Sequence, residues 1–376
     1  MIPARHGEDA LAKAPIKPIT LKELAAMLDL SQSTVSRIIN GEATAHRIAQ
    51  ETQRRVLHAA ALNGYVANTM ARGLRQKRTY TIGVIVPEIS EGYSTTVLSG
   101  IEDELLKDGF FYFVVSHRHR PNLLEGYPRM MLARSVEGII AVDSLINEDL
   151  PVPVVSISGH DRREGVINIE LDHDQAALLA LSHLKSLGHT NIALIKGQEF
   201  SSDTNLRWKA IVQAACDLDL QINDRLVVQL QGPEPGPAPG QEVTRLLLQT
   251  KQPFTAIFAF NDVTAIGAIS ALREAGLRVP ADVSVLGFDD ILSASTHHPP
   301  LTTIHQPLRD MGKVAASTLL SLIRDDIPRP HPEAITVYPR LVIRKSTGYI
   351  GQRSDTSEHD LETTLLETAG TEATGS

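Results

Sequence analysis

Cysteine is all but missing from these 376 residues, with Cys216 standing alone. That excludes an internal disulfide framework and any multi-cysteine metal site, and it suits a reducing, cytoplasmic setting. Aromatic residues are scarce, at 4% with one tryptophan, while hydrophobic residues reach 42%. A core of Ala, Leu, Ile and Val suits helices laid on buried parallel strands. No apolar run is long enough to span a membrane, and residues 1–18 mix charges with prolines, so neither a signal peptide nor an anchor is expected. A G-x-x-x-x-G-K-[ST] loop, a G-x-G-x-x-G fingerprint and an H-E-x-x-H helix are also missing, which argues against an enzyme built on those phosphate, dinucleotide or zinc signatures. No catalytic residues, cofactor or metal are expected.

Charge is present but unevenly spread. Residues 1–80 carry 12 Lys and Arg against 6 Asp and Glu, so a chain of net charge -8 divides into a head at +6 and a body at -14. A basic block on an acidic body points to a polyanion-binding head. Within it Thr20-Leu-Lys-Glu23 is a capping box that starts a helix carrying Leu21, Leu24, Ala25 and Leu28 inward. Asp29-Leu30 turns the chain, and Ser31 can cap a second helix with Val35, Ile38 and Ile39 on its inner side. A third, near 51–62, closes a small core with Val56, Ala59 and Ala60 before Asn63-Gly64 ends it. This is helix-turn-helix architecture.

The second helix fits a major groove, where every base pair shows its own donors and acceptors. Gln32 and Ser33 stand near its start and Arg37 one turn on. Gln can pair with adenine and Arg with guanine or phosphate, while Thr34 and Ser36 are placed for phosphate oxygens. An ordinary polar helix face is the plain alternative, and the basic charge with the full three-helix pattern favours double-stranded DNA. The run Arg72-Gly-Leu-Arg-Gln-Lys-Arg78, preceded by Asn68 as a cap, reads equally as a flexible basic linker or as a hinge helix that wedges Leu74 between base steps.

From Tyr80 short apolar runs alternate with helical stretches, the pattern of a doubly wound parallel sheet. Strands are expected at 81–86, 111–115, 138–142, 152–157, 192–195, 256–260 and 283–287. So many strands fit two lobes with a cleft better than one sheet. Ligands in such folds sit beyond the carboxyl ends of strands, which nominates residues 89–93, Ser116, Asp143, Ser158, Ser202, Asn261 and Asp289. The Pro-rich run 232–240 is expected to form neither helix nor central strand, and to be an exposed connection.

These features together resemble the LacI/GalR family of regulators over nearly the whole chain. The resemblance is carried by Thr20 to Asn40, ending in Ser31-Gln-Ser-Thr-Val-Ser-Arg-Ile-Ile-Asn40, by Gly64-Tyr-Val-Ala-Asn68 and by the hinge with Leu74. Further on it is carried by Thr81-Ile-Gly-Val-Ile-Val86, Gly188-His189, Asn261-Asp262, Ser284-Val-Leu-Gly-Phe-Asp-Asp290 and Pro299-Pro-Leu-Thr-Thr-Ile-His-Gln-Pro307. It implies an α/β chain: an N-terminal three-helix helix-turn-helix DNA-binding domain plus hinge helix, then a two-lobed periplasmic-binding-protein-like domain with parallel sheets. The expected boundaries are a disordered extension at 1–17, the head at 18–67, the hinge and linker at 68–79, the effector domain at 80–348 and a disordered acidic tail at 349–376. Lobe 1 would take about 80–170 and 307–325, and lobe 2 about 171–306 and 332–348. A homodimer, or dimer of dimers, on a near-palindromic operator is implied, with a small-molecule effector, a sugar first and a purine, sugar acid or sugar phosphate as alternatives. An exported solute-binding protein and a sugar-active enzyme are the rivals; neither explains the head.

Matched residue by residue, the family's effector positions fall on Arg207, Asn261 and Asp289, with Ser158 a fourth; Tyr93 and Ser116 join the expected effector site from the strand-end positions alone. Asp, Asn and Arg can each pair with adjacent hydroxyls, as on a sugar. Asn261 and Asp289 could equally serve as helix cap and turn. There are departures from the family. The 41–52 loop is about three residues longer than usual. Ser158 stands where several relatives have aspartate, and the Pro-rich run replaces an aromatic wall for which Tyr93 or Trp208 is the substitute, with core packing the equal alternative for Trp208. His117-Arg-His-Arg120 could answer an anionic effector but is favoured as a solvated loop, and His297-His298 as a loop.

Overall fold

In a computed structural model of the protein, residues 19–41, 45–65, 78–90, 92–160, 163–233, 236–326 and 332–351 are described. The chain divides into two compact units, Met1–Thr79 and Tyr80–Ser376.

In the first unit, α1 (Leu21–Met27) begins at the capping box. Thr20 Oγ1 accepts from the Glu23 N–H at 3.2 Å, and Glu23 Oε2 accepts from the Thr20 N–H at 2.8 Å. Asp29, at φ 54°, turns the chain through the left-handed region that short polar side chains tolerate. Ser31 caps α2 (Gln32–Ile39) by accepting from the Thr34 N–H at 3.1 Å. α3 (Gln50–Leu62) ends at Asn63 and at Gly64, whose φ is 60°. Leu24, Ala25, Val35, Ile38, Val56 and Ala59 meet at the centre. Asn68, Arg72 and Leu74 of the expected hinge lie outside the described residues, as do 1–18 and 352–376.

The second unit holds two six-stranded sheets. The first comprises β1 (Thr81–Val86), β2 (Phe111–Ser116), β3 (Gly138–Val142), β4 (Val154–Ile157), β5 (Val166–Leu171) and β11 (Ala334–Val337), in the order β11-β5-β4-β3-β1-β2. The second comprises β6 (Ile192–Lys196), β7 (Val227–Gln229), β8 (Ala256–Phe258), β9 (Ser284–Asp289), β10 (Thr302–His305) and β12 (Arg340–Val342), in the order β12-β10-β9-β8-β6-β7. Among the described strands only β12 runs antiparallel to its neighbour, β10. On the first sheet, α4 (Tyr93–Lys107) and α11 (Leu308–Arg324) cover one face and α5 (Pro121–Leu132) the other. On the second, α6 (His173–Ser186) and α7 (Ser202–Asp217) oppose α8 (Ala238–Gln249) and α9 (Asp262–Glu274), and a short α10 (Leu292–Thr296) follows β9.

The pairing of α4 with α11 depends on two glycines. A Cβ on Gly100 would stand 1.9 Å from the Arg309 carbonyl oxygen, and one on Gly312 would stand 2.1 Å from that of Val97. No side chain fits either place, so the two backbones touch.

Five strands, β5, β7, β10, β11 and β12, escape apolar patterning because Asn, Thr, Glu, Gln or Arg interrupts short runs. In β10 the polar residues are nonetheless buried, because Thr303 donates to Asp262 Oδ1 at 2.6 Å and the Thr302 N–H donates to Ser346 Oγ at 2.8 Å. Burial of a hydroxyl is tolerated when its hydrogen bonds are made. The placement of all of 332–348 in the second lobe is corrected, since β11 pairs with β5, Ala334 beside Asn168. The expected tail boundary moves as well, because the Ile350 N–H donates to the Leu187 carbonyl at 3.1 Å.

The Pro-rich run is also corrected. From Ala238 it forms the first turn of α8, with Pro239 where a missing N–H costs nothing. The chain thus crosses between lobes three times: after β5, between β10 and α11, and between β11 and β12. These crossings lie side by side, the Asp172 N–H donating to the Val337 carbonyl at 2.9 Å and His305 pairing with Arg340.

Candidate functional site

On α2, Gln32, Ser33 and Arg37 are exposed. Burial of Val35 and Ile38 against the core is what turns them outward. Ser31, Ser33 and Thr34 share a hydroxyl cluster around the cap, with Ser31 Oγ 2.9 Å from Ser33 Oγ and 2.8 Å from Thr34 Oγ1. Ser36, expected at a phosphate, is corrected: it is buried and accepts from Asn40 Nδ2 at 3.1 Å. It sits beside Val35 on the inner side of the helix, where no phosphate reaches. Thr20 is exposed with its hydroxyl engaged by Glu23, and Asn40 is half-buried.

Between the lobes of the second unit lies a cavity of about 140 Å³. Tyr93, Arg207, Asn261 and Asp289 line it, with Asp143, Asp203, His119, Phe200 and Phe260. Asn261 both caps α9, its Oδ1 accepting from the Thr264 N–H at 2.9 Å, and faces the cavity. The two readings of that residue are therefore compatible. Asp289 ends β9 at φ 110°, a backbone conformation L residues avoid, and is buried. Burial holds its carboxyl well above the usual carboxylate range, against the pull of Arg207 and with the push of Asp262 and Asp203.

Arg207 is fixed on every side but one. Its guanidinium carbon lies 3.7 Å from the Phe288 ring centre and 4.4 Å from that of Phe260. Nη1 donates to the Phe260 carbonyl, and Nη2 to Asp203 Oδ2 at 3.3 Å. Its Nε is buried with no hydrogen-bond partner, while the buried Tyr93 hydroxyl faces that of Ser158. An unfilled donor on a residue that lines the cavity marks a place for a polar ligand.

Ser116 and Ser158 are corrected. The Ser116 hydroxyl donates to the Pro87 carbonyl at 3.0 Å, and the Ser158 hydroxyl is buried; neither residue lines the cavity. Trp208 packs against the second lobe's core with Lys196 Nζ 5.0 Å from its ring centre, so it forms no aromatic wall. That place is taken by Phe200, whose ring centre is 3.9 Å from that of His119 across the cleft. The reading of 117–120 as solvated holds for Arg118 and Arg120, which are exposed, and not for the histidines. His117 is buried 2.9 Å from Ser144 Oγ, and burial pushes it down to about 4. Burial also lowers His119, against the charge of Glu88. Neutral imidazoles do not attract an anion.

A cluster adjoins the cavity of which residue spacing singled out Asp143 and Ser202 but neither histidine nor Asp203. His160 Nε2 lies 2.7 Å from Asp203 Oδ1, which is also 3.2 Å from His173 Nε2. Asp143, from the first lobe, accepts from the Ser202 N–H at 3.2 Å and from its hydroxyl. Burial, then the charge of Asp203, pushes Asp143 up to about 7 despite those bonds.

Comparison with known proteins places these features. Residues 19–46 match the helix-turn-helix family and 181–347 the periplasmic binding protein-like domain. The HTH-type transcriptional repressor PurR of Haemophilus influenzae is 34% identical over 340 residues, covering 87% of this chain and 98% of that protein. PurR of Aliivibrio fischeri is 33% identical over 341 residues, with the same coverage. Among solved structures, the lac repressor dimer bound to operator and the anti-inducer ONPF has a TM-score of 0.77 at 27% identity, covering 88% of this chain and 100% of that one. The CelR–cellobiose complex has a TM-score of 0.64 at 25% identity, covering 87% and 99%.

A helix-turn-helix unit joined in one chain to a two-lobed solute-binding unit defines the class of DNA-binding regulators that sense a small molecule. The chain belongs to the LacI/GalR family. It is a transcriptional repressor and not an enzyme. Among the described residues no helix is long and apolar enough to cross a membrane.

Proposed function

We propose that the protein is a cytoplasmic repressor that binds a near-palindromic operator as a dimer, and that a neutral sugar in the inter-lobe cavity sets its affinity for DNA. The dimeric lac repressor on its operator supports the assembly by likeness. The orphaned Arg207 Nε carries the effector reading. Buried donors are left unpaired only where something else completes them. A cavity of about 140 Å³ is close to the ~150 Å³ that holds one benzene ring, so a single ring fits better than two.

Glu88, Asp143, Asp203 and Asp289 line the cavity against one arginine already paired with Asp203. Burial raises Asp143 and Asp289, so they are poorer anions than exposed carboxylates. With the one arginine already paired, however, a lining rich in carboxyl groups favours a hydroxyl-rich neutral ligand over a sugar acid or a sugar phosphate. A purine is the second reading, supported by the Phe200 ring at the rim and by the likeness to PurR repressors. On α2, Gln32 and Arg37 read bases while Ser31, Ser33 and Thr34 hold phosphate.

A thermal-shift screen of monosaccharides, disaccharides, sugar acids, sugar phosphates and purines, followed by operator gel shifts with each stabilising compound, tests the reading. A neutral monosaccharide that both stabilises the protein and changes operator binding is expected. A purine as the sole active compound moves the conclusion to the second reading, and no operator binding at low salt refutes the DNA assignment.

A further inference from the structure

His160, Asp203 and His173 hold three ligand-type atoms within 4.8 Å of one another. A metal is the obvious occupant and the geometry is against it. Tetrahedral zinc with nitrogen and oxygen ligands keeps them about 3.3 Å apart, whereas His160 Nε2 is already 2.7 Å from Asp203 Oδ1. That is a hydrogen-bond distance. The other oxygen of Asp203 is held by the Arg207 guanidinium.

The location of the partners matters more. His160 follows β4 of the first lobe and is backed by Glu170 of β5, with His160 Nδ1 3.4 Å from Glu170 Oε1. Asp203 and Arg207 lie one turn apart on α7 of the second lobe. One carboxylate thus ties the first lobe, through His160, to the residue whose Nε is left for the effector. Ser202, next to Asp203, bonds Asp143 and the Ser158 carbonyl of the first lobe, so α7 begins docked on the opposite lobe.

We propose that His160 and Asp203 form an inter-lobe latch whose engagement orients Arg207, so that the effector site is complete only when the lobes are shut. Both are positioning residues, and the proposal rests on the reading of Arg207 as an effector contact. When the lobes part, Asp203 loses its first-lobe partner and Arg207 is held less firmly between Phe260 and Phe288. Effector affinity and lobe closure then become one equilibrium.

The latch has a pH signature. Burial disfavours the charged His160 ring, but its hydrogen bonds to Asp203 and Glu170 and their charges outweigh this and raise it to about 9. Free imidazole titrates near 6.5. The stabilisation is therefore complete below about 6.5 and is lost as pH rises through about 9. The charged or titratable groups around the ring are Glu170, His173, Asp203, Arg207 and Asp143. Burial pushes Asp143 up to about 7, so the pH profiles with and without His160→Gln are also compared in the Asp143→Asn background, which isolates the histidine.

The experiment compares the full-length wild type with His160→Gln and Asp203→Asn. Without ligand, melting temperature is followed from about pH 6 to about pH 10, and the His160 ring is titrated by NMR in the wild type, which needs no variant to fold. With whichever screened compound stabilises the wild type, affinity is measured at neutral and high pH. His160 is expected to stay protonated well above neutrality, and its melting advantage over His160→Gln to vanish at high pH. Affinity should be about tenfold weaker in His160→Gln near neutrality and converge with wild type at high pH. In Arg207→Ala the added His160→Gln change should cost nothing further.

Parallel pH profiles for wild type and His160→Gln, or a His160 that titrates near 6.5, overturn the latch. So does one-to-one stabilisation by zinc that disappears in His160→Gln. If no compound in the screen binds the wild type, the effector reading fails while the ligand-free pH profiles still decide the latch.

Discussion

At the level of single side chains, Arg37 and Asp289 are where the two proposed activities of the chain can be tested apart. Arg37 is exposed on α2 and supports no core, so Arg37→Ala should leave circular dichroism and melting unchanged while weakening operator binding. A lost guanine contact is worth about 1–3 kcal/mol, which fluorescence anisotropy on labelled operator reads directly. Asp289→Ala should do the reverse, with operator affinity kept and the effector's influence on the gel shift abolished. An Asp289→Ala protein that still responds in full would remove this residue from the site. Residue type and spacing nominated Gln32, Arg37, Tyr93, Asn261 and Asp289, whereas Arg207 came only through the family resemblance, since nothing local marks an arginine in mid-helix. Type and spacing did not reveal that Ser36, Ser116 and Ser158 turn their hydroxyls inward, because one small side chain beside a turn can face either way. Nor did they reveal His160 and Asp203, which stand 43 residues apart and meet only because two lobes bring them together.

At the level of elements the clearest dependence is that of α4 on α11. Gly312→Ala would set a methyl group 2.1 Å from the Val97 carbonyl oxygen, and a backbone atom cannot rotate away as a side chain can. Overpacking of this kind costs about 1–3 kcal/mol, so the melting temperature should fall while helix content is kept. An unchanged melting curve would mean that the two helices separate at no cost. The helices of the head were legible because a capping box, a turn and inward apolar positions agree with one another. The strands were legible in proportion to their apolar continuity. β1 and β3 are unbroken runs of Gly, Ala, Ile, Val and Thr, while β10 buries threonines whose hydrogen bonds no local pattern displays.

For the whole molecule, the charge asymmetry sets how binding depends on salt. A head at +6 on a body at -14 should rely on phosphate neutralisation, and a logarithmic plot of affinity against salt should be steep and linear. With about 6–10 phosphates engaged by a dimer, affinity should drop about 10³–10⁵-fold between about 50 and 200 mM salt. A flat plot would deny the basic face its role. The three crossings between the lobes have a mechanical consequence of their own. Segments lying abreast and stitched to one another, Asp172 to Val337 and His305 to Arg340, bend together as a leaf hinge does but resist being wrung. Swing about one axis should therefore come more easily to the lobes than torsion, and a molecule filling the crevice would convey chiefly how far the jaw has opened.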